Sequence, residues 1–255
     1  MKRRWYLLAA LTTFIGALII KAPVASLYGW VSARQAPAAA FTLYGLQGSI
    51  AEGRVAGIYS NGRPALSDLR WSLQAWRLLL GQAAFRISSD SDQATLAGSV
   101  AILPTGGTNL SDLNGRTSIK TLLAAIGQPY LPVDGRAVLN ITTAKFRSHQ
   151  LRAAEGHVQL QGLAWTLAAS PVLLGDFDAD TTSDDDNVRL KISSTSASPL
   201  EASGEANLKP DQSYDFHLQL RPRPDASPLV RNLVSSMGPP DSQGWSHLRQ
   251  QGRLQ

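Results

Sequence analysis

The sequence predicts a mainly β protein with a few short helices. Two related antiparallel-sheet repeats, which could form one continuous curved sheet, are expected to follow one transmembrane helix. Three observations predict this fold class: an uncharged N-terminal segment, many short stretches of alternating apolar and polar residues, and two helix-like segments that each end in glycine and proline. Alternation with a period of two is typical of an antiparallel sheet with one apolar face.

The N-terminal segment is predicted to form a membrane anchor. After a cytoplasmic tail at residues 1–4, no charge interrupts residues 5–20, a length that spans about 24 Å as a helix. The anchor and its flank cover 5–33. The residues expected to lie in the membrane are apolar or aromatic: Trp5, Leu7, Leu11, Phe14, Leu18 and Ile20. The alternative is a cleaved signal peptide with small-residue sites at 24–26 or 36–38.

The charge around this segment predicts its orientation. Lys2, Arg3 and Arg4 precede the apolar residues and should stay in the cytoplasm. The chain is therefore expected to be a single-pass protein with its C-terminal part exported. Because it has no cysteine and no eukaryotic signature, a bacterial periplasm is the simplest compartment, which makes the membrane a bacterial inner membrane.

The body of the chain, after a linker at 34–40, is predicted to be a meander of strands. Clear alternation occurs at 135–142, 157–161, 188–192 and 214–220, with few helices between such stretches. Two short helices are expected at 117–126 and 227–237. Each is followed by glycine and proline, and Ser227 before Pro228 fits an N-cap.

An internal repeat is predicted from a shift of the chain against itself. A shift of 94 residues aligns Gly62, Trp71, Leu73 and Gly81 with Gly156, Trp165, Leu167 and Gly175. The two helical segments align at a shift of 111 instead, which implies a longer second unit. The repeats are assigned to residues 41–129 and 130–255, both in the periplasm.

The charge distribution excludes a nucleic-acid binder. The net charge is +5, but five of the 24 basic residues lie within the first 34 residues, where no acidic residue occurs. The remainder carries 19 basic and 19 acidic residues. A nucleic-acid-binding body would instead carry the basic excess itself.

No residue pattern predicts catalysis, a metal or a cofactor. The chain has no cysteine and none of the common nucleophile, phosphate-binding or metalloprotease motifs. The acidic run at 176–187 resembles a calcium loop but has Thr181 and Asn187 where that loop needs glycine and glutamate. It is better explained as a strand with Phe177 pointing inward. Trp71 and Trp165 could stack on a ligand, but sheet or core positions are expected for both.

Three segments carry a family resemblance. Residues 43–54 hold an early glycine–serine signature, Leu69-Arg70-Trp71-Ser72-Leu73 leads to Leu79-Leu80-Gly81, and Met237-Gly238-Pro239-Pro240-Asp241 leads to Gly252-Arg253-Leu254. Together they resemble the type II secretion system protein N family over nearly the whole chain. The resemblance implies an accessory, non-catalytic component of the inner-membrane platform that helps export folded proteins. It implies contact with other platform proteins, especially the protein C type.

Exposed strand edges would suit such a scaffold, because an edge can accept a strand from a partner. The alternative function is a periplasmic lipid carrier of the AsmA-like type, with an apolar groove along the sheet. The two readings differ in whether Val138, Ile141, Val158 and Leu160 pack in a core or line an open trough.

Overall fold

The structure is a computed structural model that describes residues 23–26, 41–60, 63–91, 94–125, 128, 130–148, 150–167, 170–184 and 186–253. The predicted anchor at 5–33 and the linker at 34–40 lie outside these residues, apart from 23–26. Within the described part of the chain, no helix has both the length and the apolar character needed to cross a membrane.

The described residues form one antiparallel sheet of fourteen strands. Each strand from β3 onward pairs with the next one along the chain, while β1 and β2 both pair with β3. The strands are β1 Phe41–Tyr44, β2 Gln47–Gly48, β3 Glu52–Ser60, β4 Arg63–Leu73, β5 Ala83–Asp90, β6 Ala94–Ile102, β7 Gly107–Ser118, β8 Val133–Arg147, β9 Gln150–Trp165, β10 Val172–Asp184, β11 Asn187–Ser194, β12 Leu200–Leu208, β13 Ser213–Pro222 and β14 Ser246–Arg253.

The predicted β-rich meander is therefore confirmed. The proposed boundary between residues 129 and 130 does not interrupt the sheet, because β7 pairs with β8 along most of its length. The two predicted halves thus share one continuous sheet, while their descent from a repeat stays a prediction.

From residue 41 onward, the described residues form three short helices beside the sheet: α1 Ala75–Leu78, α2 Ile119–Ala125 and α3 Pro228–Ser236. Helices α2 and α3 are the two that the sequence predicts, and α1 is not predicted. Both predicted helices begin at a serine cap: Ser118 Oγ accepts a hydrogen bond from Thr121 N at 3.0 Å, and Ser227 Oγ accepts one from Val230 N at 3.3 Å. Such caps satisfy N–H groups that the first helical turn leaves unpaired.

The sheet has an apolar inner face, on which α3 packs, and a polar outer face. The main core joins Val230 and Val234 of α3 to apolar residues of β10, β12 and β13, including Phe177. Leu160 packs against this core, and Ile141 packs against a second cluster built around Ala154.

The sheet bends at β10. Its neighbours β9 and β11 approach each other with Cα atoms within 8 Å, and so do β10 and β12. In a flat sheet second-neighbour strands lie about 9.6 Å apart. The predicted curvature is therefore present at this point, and it brings Ala154 of β9 and Val188 of β11 into one cluster.

Candidate interaction surface

The ionisable side chains of β9 and β10 form a surface network. His157 Nδ1 lies 2.8 Å from Asp180 Oδ1, and His157 Nε2 lies 3.3 Å from Asp178 Oδ1. Both carboxylates are on the outer face, while Phe177, which precedes Asp178, is buried on the inner face, as the alternation predicts. Within the described ranges, no group of histidine, aspartate and glutamate is placed to hold a metal ion.

This network belongs to a straight cross-strand row on the outer face. Each member lies directly opposite the next across neighbouring strands. We call it the outer row; from β9 to β14 it consists of His157, Asp180, Lys191, Glu205, His217 and Arg249. Charges of opposite sign alternate from Asp180 to Glu205, an arrangement that stabilises neighbouring strands.

The outer row ends at β14, the last strand of the sheet. Strand β14 pairs with β13 over eight consecutive positions without a bulge. Among the described residues no strand pairs with its other side. An edge of this kind presents a row of backbone N–H and C=O groups that a further strand can bind.

The loop before β14 is built around Asp241. Its Oδ1 accepts hydrogen bonds from the backbone N–H groups of Gln243 and Trp245 at 2.8 and 2.9 Å, and its Oδ2 accepts one from His247 Nε2 at 2.9 Å. The His247 hydrogen bond, with help from Trp245 N–H, holds the pKa of Asp241 below its ordinary value. Gly244 makes the turn in the left-handed region at φ +84°.

A cation stacked on an aromatic ring joins this loop to the sheet. The Arg221 guanidinium lies 4.4 Å from the centre of the Trp245 ring. Its Nε and Nη2 atoms also donate to Glu201 Oε2 at 3.1 and 2.7 Å. Arg221 is thereby fixed from both sides, which holds the loop against β12 and β13.

The far end of β14 is fixed by Gly252 and Arg253. A Cβ at Gly252 would lie 2.8 Å from Tyr214 Oη, so only glycine lets the tyrosine ring cover this position. Arg253 Nε donates to Asp211 O at 2.8 Å. The two C-terminal segments that carry the resemblance thus place β14 on β13 and leave its other edge free of partners in the described part of the chain.

The early segment of the resemblance builds the opposite side of the sheet. Gly48, at φ +93°, makes the turn between β2 and β3. Gly53 lies directly under the ring of Trp71, where any Cβ would overlap that ring. The indole Nε1 donates to Ile50 O at 3.1 Å. Trp71 therefore covers the turn as a sheet-face residue.

The middle segment of the resemblance exposes apolar side chains. Leu79 and Leu80, just after α1, are 90% and 66% exposed, and Trp76 is 59% exposed. Gly81 follows at φ +71° and closes the turn. This apolar turn lies at the end of the sheet opposite α2 and α3.

The predicted repeat residues lie in unlike places. Trp71 and Leu73 are in β4, whereas Gly81 is in the turn after α1. Gly156 and Trp165 are in β9, Gly175 is in β10, and Leu167 follows β9 and is exposed. Trp165 packs beside the α3 core.

Gly62 and the six predicted anchor residues lie outside the described residues. The shift of 94 residues thus pairs the end of β4 with the end of β9. It also pairs Gly81, in the turn after α1, with Gly175 in β10. The repeat remains a prediction.

Sequence reasoning did not identify the β14 edge or the residues that hold it. The available signals were the paired prolines and Asp241 before a final polar strand, and the lack of acidic residues and proline in 246–253.

The four apolar residues that were expected to distinguish a packed core from an open trough lie on different faces of the sheet. Ile141, Val158 and Leu160 lie on the inner face, and Val138 lies on the outer face opposite Arg116 and Gln159.

Comparisons with known proteins agree with the resemblance. The model of a family described as type II secretion system (T2SS), protein N matches residues 39–249. The type II secretion system protein N of Aeromonas hydrophila is 25% identical over 249 residues, which cover 96% of this chain and 96% of that protein. No solved structure matches. The lipid-carrier alternative receives no support from these comparisons.

Proposed function

Because the chain belongs to the type II secretion system protein N family, we propose that it is a non-catalytic accessory component of the inner-membrane platform. In this role it assists the export of folded periplasmic proteins through the outer membrane. Its N-terminal segment anchors it in the inner membrane and its sheet contacts other platform components, the protein C type first among them.

The observation that carries this proposal is the edge of β14. One side of β14 is fully and regularly paired with β13. No other strand among the described residues pairs with its other side. The side chains that hold β14 in place, such as Asp241 and Arg253, form hydrogen bonds to backbone atoms of this chain. This arrangement suits a scaffold that binds a protein strand.

Photo-crosslinking in cells tests the proposed contacts. A photoreactive residue at Gln251 on β14 is compared with one at Asn114 on β7, since both are exposed but only β14 is an edge strand. We expect adducts from Gln251 with secretion-platform proteins and few from Asn114. Adducts from Gln251 that contain no secretion component would overturn the proposed role.

Secretion itself gives the second readout. Removal of the chain should lower, without abolishing, the amount of exported protein outside the cell, because the proposed role is accessory. Unchanged export, together with no platform adducts, would contradict the proposal.

The proposed topology is tested by cysteine labelling, which the absence of native cysteine makes unambiguous. Ser196→Cys, on an exposed turn between β11 and β12, should react with a membrane-impermeant maleimide once the outer membrane is opened. Lys2→Cys should react only after the inner membrane is also opened. Equal labelling of both would overturn the single-pass orientation.

A further inference from the structure

The free edge of β14 is regular enough to accept a whole strand. Its eight residues contain no proline, and their pairing with β13 has no bulge. The other side of the sheet is different, because β1 has four residues and β2 has two, with Gly45 at φ +65° near the break between them. Proline, bulges, short broken strands and charged side chains protect sheet edges. Strand β14 has only the last of these, and its charged side chains are all basic.

The outer face of β14 is basic. His247, Arg249 and Arg253 point to the same side, and the strand contains no acidic residue. Within the described residues Arg249 forms no ion pair. Arg253 donates to the backbone carbonyl of Asp211, and its charge also attracts the Asp211 carboxylate. The last two members of the outer row are His217 on β13 and Arg249 on β14, and neither is a carboxylate. An acidic residue on a further strand would continue the alternation that Asp180, Lys191 and Glu205 begin.

The inner face of β14 is different. Leu248 lies opposite Leu218 and is 41% exposed. A further strand would bury more of Leu248 if an apolar residue lay beside it. The two faces of β14 therefore require different side chains on alternate positions of the added strand.

We propose that the free edge of β14 binds an extended segment of a partner protein in which acidic and apolar residues alternate. The acidic residues lie on the outer face beside Arg249 and Arg253, and the apolar residues lie on the inner face beside Leu248. This inference rests on the proposed function, since the partner is taken to be another component of the secretion system.

A second copy of this chain does not fit the same edge. Two paired β14 strands would bring only basic and neutral side chains together on the outer face, because neither copy supplies a carboxylate. Like charges opposite each other destabilise a strand pair. The basic residues thus favour the acidic partner and oppose self-association.

Peptide binding to the purified full chain in detergent tests the proposal. The probe is a synthetic nine-residue peptide that alternates glutamate and valine. Its controls are a lysine–valine peptide and a peptide of the same composition with glutamates and valines in separate blocks. Cross-strand pairs of opposite charge stabilise adjacent strands and pairs of like charge destabilise them, so the glutamate–valine peptide should bind about tenfold more tightly than the lysine–valine peptide.

Charge reversal locates the interaction. Arg249→Glu should weaken glutamate–valine binding about fivefold and strengthen lysine–valine binding, because it reverses the sign of one cross-strand charge pair. Arg116→Glu is the matched control, because Arg116 is an exposed outer-face arginine on the interior strand β7. Equal effects of the two variants, or equal binding of the alternating and block peptides, would overturn the proposal. If Arg249→Glu does not fold, Arg249→Gln should still weaken glutamate–valine binding.

Disulfide trapping tests the strand geometry without depending on affinity. Single cysteines are placed at Gln251 on the outer face or Gln250 on the inner face of the cysteine-free chain. The first should trap peptides with cysteine at a glutamate position, and the second those with cysteine at a valine position. Trapping without this preference would overturn the proposal. Loss of peptide binding with platform adducts retained in cells would refute this inference alone.

Discussion

Gly53 and Trp71 tie the first turn of the sheet to β4. A Cβ at Gly53 would overlap the Trp71 ring and lie 2.7 Å from Gln47 O. Gly53→Ala must therefore displace the ring and its hydrogen bond to Ile50 O. We expect the free energy of unfolding to fall by about 1–3 kcal/mol, measured by urea denaturation in detergent. Ser72→Ala, on the exposed outer face, is the control and should change it by less than about 0.5 kcal/mol.

Asp68 gives a prediction about pH. It adopts φ +50°, forms an ion pair with Arg54 and accepts a hydrogen bond from Arg70 Nη2 at 2.9 Å. The Arg70 hydrogen bond is the main cause that lowers the pKa of Asp68 below its ordinary 3.8. Since the folded-state pKa is the lower one, the carboxylate stabilises the fold above pH 3.8, and this contribution is lost as the pH falls through the folded-state value.

Asp68→Asn removes this charge and keeps a residue that tolerates the left-handed region. The wild type should be the more stable protein at pH 6, and the urea midpoints of the two proteins should converge as the pH is lowered below 3.8. Asp90→Asn is the control, because Asp90 forms no ion pair within the described residues. A constant difference between wild type and Asp68→Asn across this pH range would contradict the assignment.

Helix α1 and its turn differ from the other helices in what they bury. Leu79 and Leu80 are largely exposed, whereas Val234 of α3 is 3% exposed in the main core. The double change Leu79→Ser and Leu80→Ser should alter the free energy of unfolding by less than about 0.5 kcal/mol. Val234→Ala should lower it by about 2–3 kcal/mol. Urea denaturation measures both, and a large loss for the serine variant would show that the leucines are packed.

The sequence predicts elements where a local pattern is strong. Strand alternation located the long strands, the glycine–proline stops located α2 and α3, and the Ser227 cap marked the start of α3. Helix α1 escapes prediction because it has four residues and no side-chain cap at Gln74. Val138 and Ile141 differ by three positions within β8, an odd number that places them on opposite faces. Because both residues are apolar, residue type alone does not indicate which of them faces the core.

At the scale of the whole sheet, the sequence could not predict the candidate interaction edge. A meander makes β14 an edge only if the sheet stays open, and closure depends on strand tilt and register rather than on local residue patterns. Edge recognition also uses backbone groups, which every sequence supplies. The side chains that select the partner, such as Arg249, gain meaning only once the register of β13 and β14 is known.

The distribution of buried residues predicts unequal stability of the two halves of the sheet. The main core lies entirely within residues 130–255, where α3 covers β10, β12 and β13. In 41–129 the described buried apolar residues are mostly alanines, with Val55 and Ile119 as the larger ones. Alanine buries little apolar area, so this half gains less from the hydrophobic effect. It depends instead on the pairing of β7 with β8.

Separate expression of the two halves measures this dependence. The fragment 130–255 should fold and unfold cooperatively in urea, because it keeps α3 and the main core. The fragment 41–129 should lack stable β-structure by circular dichroism, since separation removes β8 and exposes β7 as a twelve-residue edge. Addition of the larger fragment should restore structure to the smaller one. Independent, cooperative folding of 41–129 would mean that each half stabilises itself, as two autonomous repeats would.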